Sequence, residues 1–98
     1  MTINVYQVGD LVRISGAFTN TAGTAIDPTT LSLFVSTPAG GVTEYVYGTD
    51  VEVVRDSLGN YHADISATIA GDWRWWWEAT GTGQAMQNGQ YVVEPLPL

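Results

Sequence analysis

The sequence predicts an all-β fold, an antiparallel sandwich of about seven or eight short strands that forms a single domain over residues 1–98. Apolar and polar residues alternate in short runs, which is the period of a strand with one buried face. Turn-forming residues break the chain about every 8–12 residues, as they do in sandwiches. No segment shows the period of an amphipathic helix. A barrel is the alternative architecture that the same spacing allows.

The first half of the chain contains four of the predicted strands. The first is short and alternates weakly, so we place it at a sheet edge. In the second, Gly16 interrupts an apolar face, which indicates a bulge or the close approach of another group. The third and fourth are joined by the turn signal Pro38-Ala39-Gly40-Gly41, which predicts a hairpin. These strands are predicted at residues 2–7, 11–18, 31–37 and 42–47.

The second half contains four more predicted strands. Residues 56–60 form a tight turn of the kind that joins antiparallel neighbours. Residues 81–83, Gly-Thr-Gly, are expected to be flexible. The prolines at positions 95 and 97 end the last strand. These strands are predicted at residues 51–55, 61–66, 71–78 and 90–94.

All four tryptophans lie in the seventh predicted strand. Side chains alternate across a strand, so Trp73, Trp75 and Trp77 share one face, and we assign that face to the core because three indoles bury a large apolar area. Trp76 then points outward, between Arg74 and Glu78. The core is expected to contain these three indoles next to Ile14, Leu33, Tyr61 and Val93.

A register slip of one residue would reverse this assignment. Trp76 would then point inward and its neighbours outward. Three exposed indoles form a patch too apolar for a monomer, so this arrangement would favour an oligomer.

The composition excludes several classes of partner. Ten acidic residues, three arginines and no lysine give a net charge of −7, so no basic stripe exists to bind nucleic acid. No apolar run approaches the roughly 20 residues that span a bilayer, and the first residues lack the pattern of a signal peptide. Cysteine is absent, so disulfides are excluded. We expect a chain made in the cytoplasm.

The sequence predicts no catalytic, cofactor-binding or metal site, and hence no enzyme. His62 is the only histidine, and it could act as a base for Ser66 on the same face of a strand. We favour an exposed strand histidine, because no orienting carboxylate or oxyanion hole is recognisable. A loosely held surface calcium ion near Asp50 and Glu52 is the one metal site that the acidic residues suggest.

Several short motifs, taken in their order along the chain, carry a resemblance. They lie at residues 8–14, 27–33, 37–41, 55–65, 70–75 and 89–93. Together they resemble the small immunoglobulin-like proteins encoded among the structural genes of tailed bacteriophages. The resemblance implies an immunoglobulin-like sandwich and a virion component, a head, neck or tail accessory protein that binds other virion proteins or further copies of itself.

The outward aromatic residues are the candidate site. In one interpretation Trp76, Arg74 and Phe34 form a protein–protein interface, since Trp and Arg dominate interface energies. In the alternative, exposed aromatics stack against sugars, and the protein is a carbohydrate-binding module for glycans on the host surface. In a third, Trp76 lies beneath the 81–89 loop or the 95–98 tail and belongs to the core.

Overall fold

The computed structural model describes residues 4–81 and 85–95, with the backbone alone at Ala85. These residues form eight strands: β1 (Asn4–Gln7), β2 (Leu11–Ala17), β3 (Thr30–Ser36), β4 (Val42–Val46), β5 (Val53–Ser57), β6 (Asn60–Ser66), β7 (Gly71–Thr80) and β8 (Ala85–Glu94). Within the described ranges there is no helix of the length and apolar character needed to cross a membrane.

The strands form two sheets that pack face to face. One sheet has the order β1-β8-β7-β3-β4 and the other has the order β2-β6-β5. Strands β3, β7 and β8 occupy the places of strands C, F and G of an immunoglobulin domain, and β2, β5 and β6 those of B, D and E. The predicted immunoglobulin-like sandwich is therefore confirmed, with one departure from antiparallel pairing: β1, at a sheet edge as predicted, runs parallel to β8.

The core lies between the sheets and follows the predicted alternation. Trp73 and Trp77 are almost completely buried, with 2% and 0% of their surface exposed, which excludes the register slip. Trp75 is the exception, because it is only half-buried at the boundary of the core. The other core residues that the sequence predicts are also buried, namely Ile14, Leu33, Tyr61 and Val93.

Gly16 marks a close approach rather than a bulge. The pairing of β2 with β6 continues through it without a register shift. A Cβ at Gly16 would lie 3.1 Å from the rings of both Phe18 and Trp77. These two rings meet edge to face with centroids 6.2 Å apart. The missing side chain therefore makes room for the most deeply buried indole.

Trp73 fixes the crossover from one sheet to the other. Its Nε1–H donates to the carbonyl of Ile69, four residues upstream, at 3.0 Å. Its ring stacks on Tyr91 of β8, with centroids 5.7 Å apart. A tyrosine at the start of strand F makes a comparable bond to upstream backbone in many immunoglobulin domains. Here an indole supplies both the bond and the larger apolar surface.

Of the strands whose predicted start lies within the described residues, β5 and β8 begin two or more residues away from it. Residues 51–52 form a turn, and β5 begins at Val53, because Asp50 accepts a hydrogen bond from Val46 N–H at 2.7 Å and closes the preceding loop. The last strand begins at Ala85 instead of Gln90, because it pairs with β7 along most of that strand's length. The predicted flexible residues 82–83 lie outside the described part of the chain.

Candidate functional site

A stacked pair of aromatic rings lies on the outer face of the five-stranded sheet. Phe34 of β3 and Trp76 of β7 are direct cross-strand partners. Their ring centroids are 5.2 Å apart and their planes differ by 7°. Both side chains are half-buried. A cross-strand aromatic pair contributes roughly 0.2–1 kcal/mol, so the stack stabilises the sheet and also holds each ring in a fixed orientation.

An arginine without a carboxylate partner lies beside this pair. Arg74 precedes Trp76 by two residues and shares its face, and none of the ion pairs in the described part of the chain includes it. The other two arginines differ. Arg13 Nε lies 2.9 Å from Asp64 Oδ1. Arg55 forms a comparable contact with a carboxylate at 3.1 Å. Arg74 is therefore the cation best able to accept an external partner.

The structure brings the three predicted interface residues onto one face. The outward direction of Trp76 is confirmed, whereas its role in docking stays a prediction. The interpretation that a loop over residues 81–89 covers Trp76 is wrong for the described part of that segment. Residues 85–89 continue β8 beside β7 and place Asn88 opposite Trp76.

Further apolar side chains are exposed on the same face. Val5, Val42 and Met86 expose 54%, 55% and 63% of their surface. Each is in register with a residue that points outward from this sheet. We call this surface the aromatic face; it comprises Phe34, Arg74, Trp76, Val5, Val42 and Met86.

A cleft of about 1020 Å³ opens between the two sheets, on the side where β2 and β8 lie. β2 pairs only with β6, and β8 pairs with β1 only through Tyr91–Glu94, so both strands have unpaired edges within the described chain. Consecutive residues 12–15 and 88–91 line the cleft. Neighbouring side chains in a strand point to opposite faces. Because consecutive residues line the cleft, the backbone edges of β2 and β8 border it.

Trp75 lies in the wall of this cleft, across Gly89 of β8. The two residues are cross-strand partners. A Cβ at Gly89 would lie 2.4 Å from Cζ2 of the indole, so only glycine lets the ring lie flat on the neighbouring strand. The ring therefore remains partly accessible, and its N–H makes no hydrogen bond with the described residues. Gln87 of β8 lines a separate, smaller cavity, and its side-chain amide donates to the carbonyl of Ala17 across the two sheets.

The lining of the cleft is aromatic, polar and free of carboxylates. Although the chain has ten acidic residues, none of them lines the cleft, whereas Arg13 and Arg74 do. Tyr91 is also part of the lining, and its buried hydroxyl has no hydrogen-bond partner within residues 4–81 and 85–95. Burial raises the pKa of Tyr91 to about 12, so the group stays a neutral donor. The remaining aromatic residues in the lining are Tyr6, Trp75 and Trp76, and the neutral polar residues are Asn4, Ser15, Ser36, Asn88 and Gln90.

The prediction of an exposed histidine is wrong. His62 is 9% exposed, because two carboxylates flank its ring. Nδ1 lies 2.7 Å from Asp56 Oδ1, and Nε2 lies 3.9 Å from Asp64 Oδ2. No hydrogen bond joins His62 to Ser66 or to its cross-strand partner Ser15 in the described chain. The contact of Asp56 with His62 links β5 to β6. In the described chain it activates neither the Ser66 nor the Ser15 hydroxyl.

The suggested calcium site near Asp50 and Glu52 does not assemble within residues 4–81 and 85–95. No group of three or more His, Asp or Glu side chains in these ranges could hold a metal ion. Asp50 instead accepts a hydrogen bond from the backbone of Val46. The acidic residue stabilises a turn.

Comparison with known proteins supports the fold alone. No protein-family model matches the chain, and no curated protein matches it. The chain is similar to part of a solved Bacteroides vulgatus structure that is provisionally assigned as a glycoside hydrolase, with a TM-score of 0.62 and 15% identity. The match covers 98% of this chain but spans only 17% of that one. The similarity extends over the whole sandwich of this protein and over a small part of the longer Bacteroides vulgatus protein.

Proposed function

We propose that this protein is a non-enzymatic interaction module of a tailed-bacteriophage virion, a head, neck or tail accessory protein. It binds other virion proteins, or further copies of itself, through the aromatic face. The observation that carries the proposal is the stacked Phe34–Trp76 pair beside Arg74, which has no carboxylate partner in the described chain. The resemblance in the sequence motifs supports the virion assignment.

Ordering the side chains of an interface costs free energy. Side chains that are already fixed lose little conformational freedom on binding, so rigid aromatic residues contribute strongly to affinity. Trp76 is held by Phe34 on a regular strand. Arg74 can form a two-point contact with a carboxylate of the partner. A partner with an acidic residue next to an apolar patch fits both groups.

The experiment compares particles assembled with the natural chain and with Trp76→Ala. We expect the variant to fold, because Trp76 lies outside the core, and to be depleted from purified particles, as measured by quantitative mass spectrometry. Val54→Ala is the matched control. Val54 is 43% exposed on the outer face of the other sheet, and its replacement should leave incorporation unchanged.

Normal incorporation of Trp76→Ala would contradict the role of the aromatic face. Absence of the natural chain from purified particles would contradict the virion assignment itself. The two results are separable, because the first concerns a variant and the second concerns the unmodified protein.

A carbohydrate-binding module is the second candidate. The cleft favours it, because aromatic rings and neutral amides or hydroxyls line the same space. The Bacteroides vulgatus structure that contains a similar sandwich is provisionally assigned as a glycoside hydrolase, which supports this candidate weakly. The test is a glycan array probed with the natural chain and with Trp76→Ala. Binding that depends on Trp76 supports the candidate, and an array without signal removes it.

A further inference from the structure

We propose that the cleft between β2 and β8 binds an acidic saccharide, a sugar ring that carries a carboxylate. This inference rests on the second candidate function and specifies its ligand and its position. The site is the wall around Trp75, and Arg74 and Trp76 of the aromatic face also line it. Three features of the cleft, its aromatic surface, its charge and its unused donors, each support the assignment.

The aromatic surface suits a ring with one apolar face. Trp75 packs against Gly89 and is half-buried, so part of the indole is packed and part borders the cleft. Tyr6 and Tyr91 meet edge to face nearby, with centroids 5.5 Å apart. These side chains are held by packing, so they lose little conformational freedom when a ligand binds. Hydroxyls at the edge of the ring would face the neutral polar residues Asn88 and Gln90.

The charge of the lining selects an anion. Two of the three arginines line the cleft and none of the ten carboxylates does, on a protein with a net charge of −7. Asp64 neutralises Arg13, which leaves Arg74 as the cation that lacks a carboxylate in the described structure. A guanidinium binds a carboxylate through two parallel hydrogen bonds. The overall negative charge disfavours long polyanions such as nucleic acid, so a single carboxylate on a neutral ring is the better match.

The unused donors indicate that the cleft is built for a polar occupant. The Tyr91 hydroxyl is buried without a hydrogen-bond partner in the described chain. The indole N–H of Trp75 also forms no hydrogen bond there. Leaving the buried Tyr91 hydroxyl unsatisfied is costly. The Trp75 N–H belongs to a half-buried ring and is open to a ligand without that cost. A saccharide offers several hydroxyl acceptors, which a purely apolar ligand does not.

The test uses pairs of sugars that differ by one acidic group. Sialyllactose is compared with lactose, and glucuronate with glucose, by titration calorimetry and by NMR of the four indole N–H signals. We expect the acidic member of each pair to bind at least about tenfold more tightly and to shift the Trp75 signal. Arg74→Gln should abolish the difference within each pair.

Isosteric variants provide the matched controls. Asn88→Asp and Gln90→Glu add a negative charge at exposed positions of the lining without changing side-chain size. Each should weaken glucuronate binding about tenfold more than it weakens glucose binding. Val54→Ala lies outside the lining, on the outer face of the other sheet, and should leave saccharide binding intact.

Three outcomes would overturn the inference. If neutral and acidic sugars bind equally at Trp75, the carbohydrate function stands and the acidic ligand is wrong. If no sugar shifts the Trp75 signal, both the carbohydrate function and the acidic ligand are wrong. A peptide of alternating valine and glutamate could instead shift the backbone amides of residues 12–15 while the sugars have no effect. The cleft would then be a groove for strand addition to the unpaired edge of β2.

Discussion

The indole of Trp75 occupies the space that a Cβ would need at Gly89, its cross-strand partner in β8. This one relationship sets the shape of the cleft. A side chain at position 89 would push the indole away from β8. With glycine, the ring covers the neighbouring strand and leaves its outer surface at the boundary between core and solvent.

We predict that Gly89→Ala displaces the Trp75 ring and lowers the free energy of unfolding by about 1–3 kcal/mol, the usual cost of overpacking. Tryptophan fluorescence and urea denaturation measure the two effects. Gly41→Ala is the control, because a Cβ there meets only Thr37 Oγ1 at 3.8 Å. Gly41→Ala should leave the free energy of unfolding almost unchanged. Equal behaviour of the two variants would show that the indole does not lie over β8.

The inward-facing tryptophans should differ in their contribution to stability. Trp77 is completely buried and Trp75 is half-buried. We predict that Trp77→Ala lowers the free energy of unfolding by about 3–5 kcal/mol, because it leaves a large cavity. Trp75→Ala should lower the free energy of unfolding by clearly less, since solvent can fill the space that the indole leaves. Urea denaturation midpoints compare the two, and an equal loss would contradict the position of Trp75 at the edge of the core.

The alternation of apolar residues was sufficient to predict which side chains enter the core, because side-chain direction in a strand depends only on sequence position. It could not predict how far Trp75 lies from solvent. That depth depends on Gly89, and the sequence does not show that these two residues are partners. The first half of β8 is not predictable for a related reason: residues 85–90, Ala-Met-Gln-Asn-Gly-Gln, show no apolar alternation and form a strand because β7 pairs with them.

The two sites differ in how far the sequence could reveal them. The outward direction of Trp76 follows from strand alternation, and Phe34 from the same rule in β3. The cleft depends on which strand edges remain unpaired, a property of the assembled sheets. The Asp56–His62 contact depends on a register shift between Arg55 and Ser57, which places Asp56 at an irregularity of β5. Local patterns do not encode that shift.

Asp27 should make stability depend on pH in the acid range. Its carboxylate contacts Arg55 and accepts hydrogen bonds from Gly59 N–H and Tyr61 Oη, at 2.9 and 3.0 Å. The Arg55 contact, followed by the Gly59 bond, lowers the pKa of Asp27 from 3.8 to about 2. Between these values the unfolded chain binds more protons than the folded one, so stability is present above pH 3.8 and is lost as the pH falls toward 2.

We predict that Asp27→Asn is less stable than the natural chain at pH 7 and that this difference shrinks between pH 4 and pH 2. Asp72→Asn is the control, because the Asp72 side chain is exposed and makes no hydrogen bond or ion pair within the described ranges. Thermal denaturation followed by circular dichroism across this pH range measures both. A difference between Asp27→Asn and the natural chain that stays constant with pH would contradict the proposed linkage.

Two buried tyrosines should respond oppositely to loss of the hydroxyl group. Tyr61 donates to Asp27 at 3.0 Å, so Tyr61→Phe should lower the free energy of unfolding by about 1.5–3 kcal/mol, the range for a hydrogen bond to a charged group. The Tyr91 hydroxyl has no partner in the described chain, so Tyr91→Phe removes an unsatisfied buried donor. We expect it to raise the free energy of unfolding by about 1 kcal/mol.

The Tyr91 variant also links stability to binding. If its hydroxyl serves a saccharide in the cleft, Tyr91→Phe becomes more stable and binds glucuronate more weakly, whereas Tyr61→Phe becomes less stable and keeps its affinity. Urea denaturation and calorimetric titration on the same two samples measure both quantities. A loss of stability in Tyr91→Phe would mean that the hydroxyl is already satisfied, for instance by water held in the cleft. The donor would then be unavailable to a ligand unless that water were displaced.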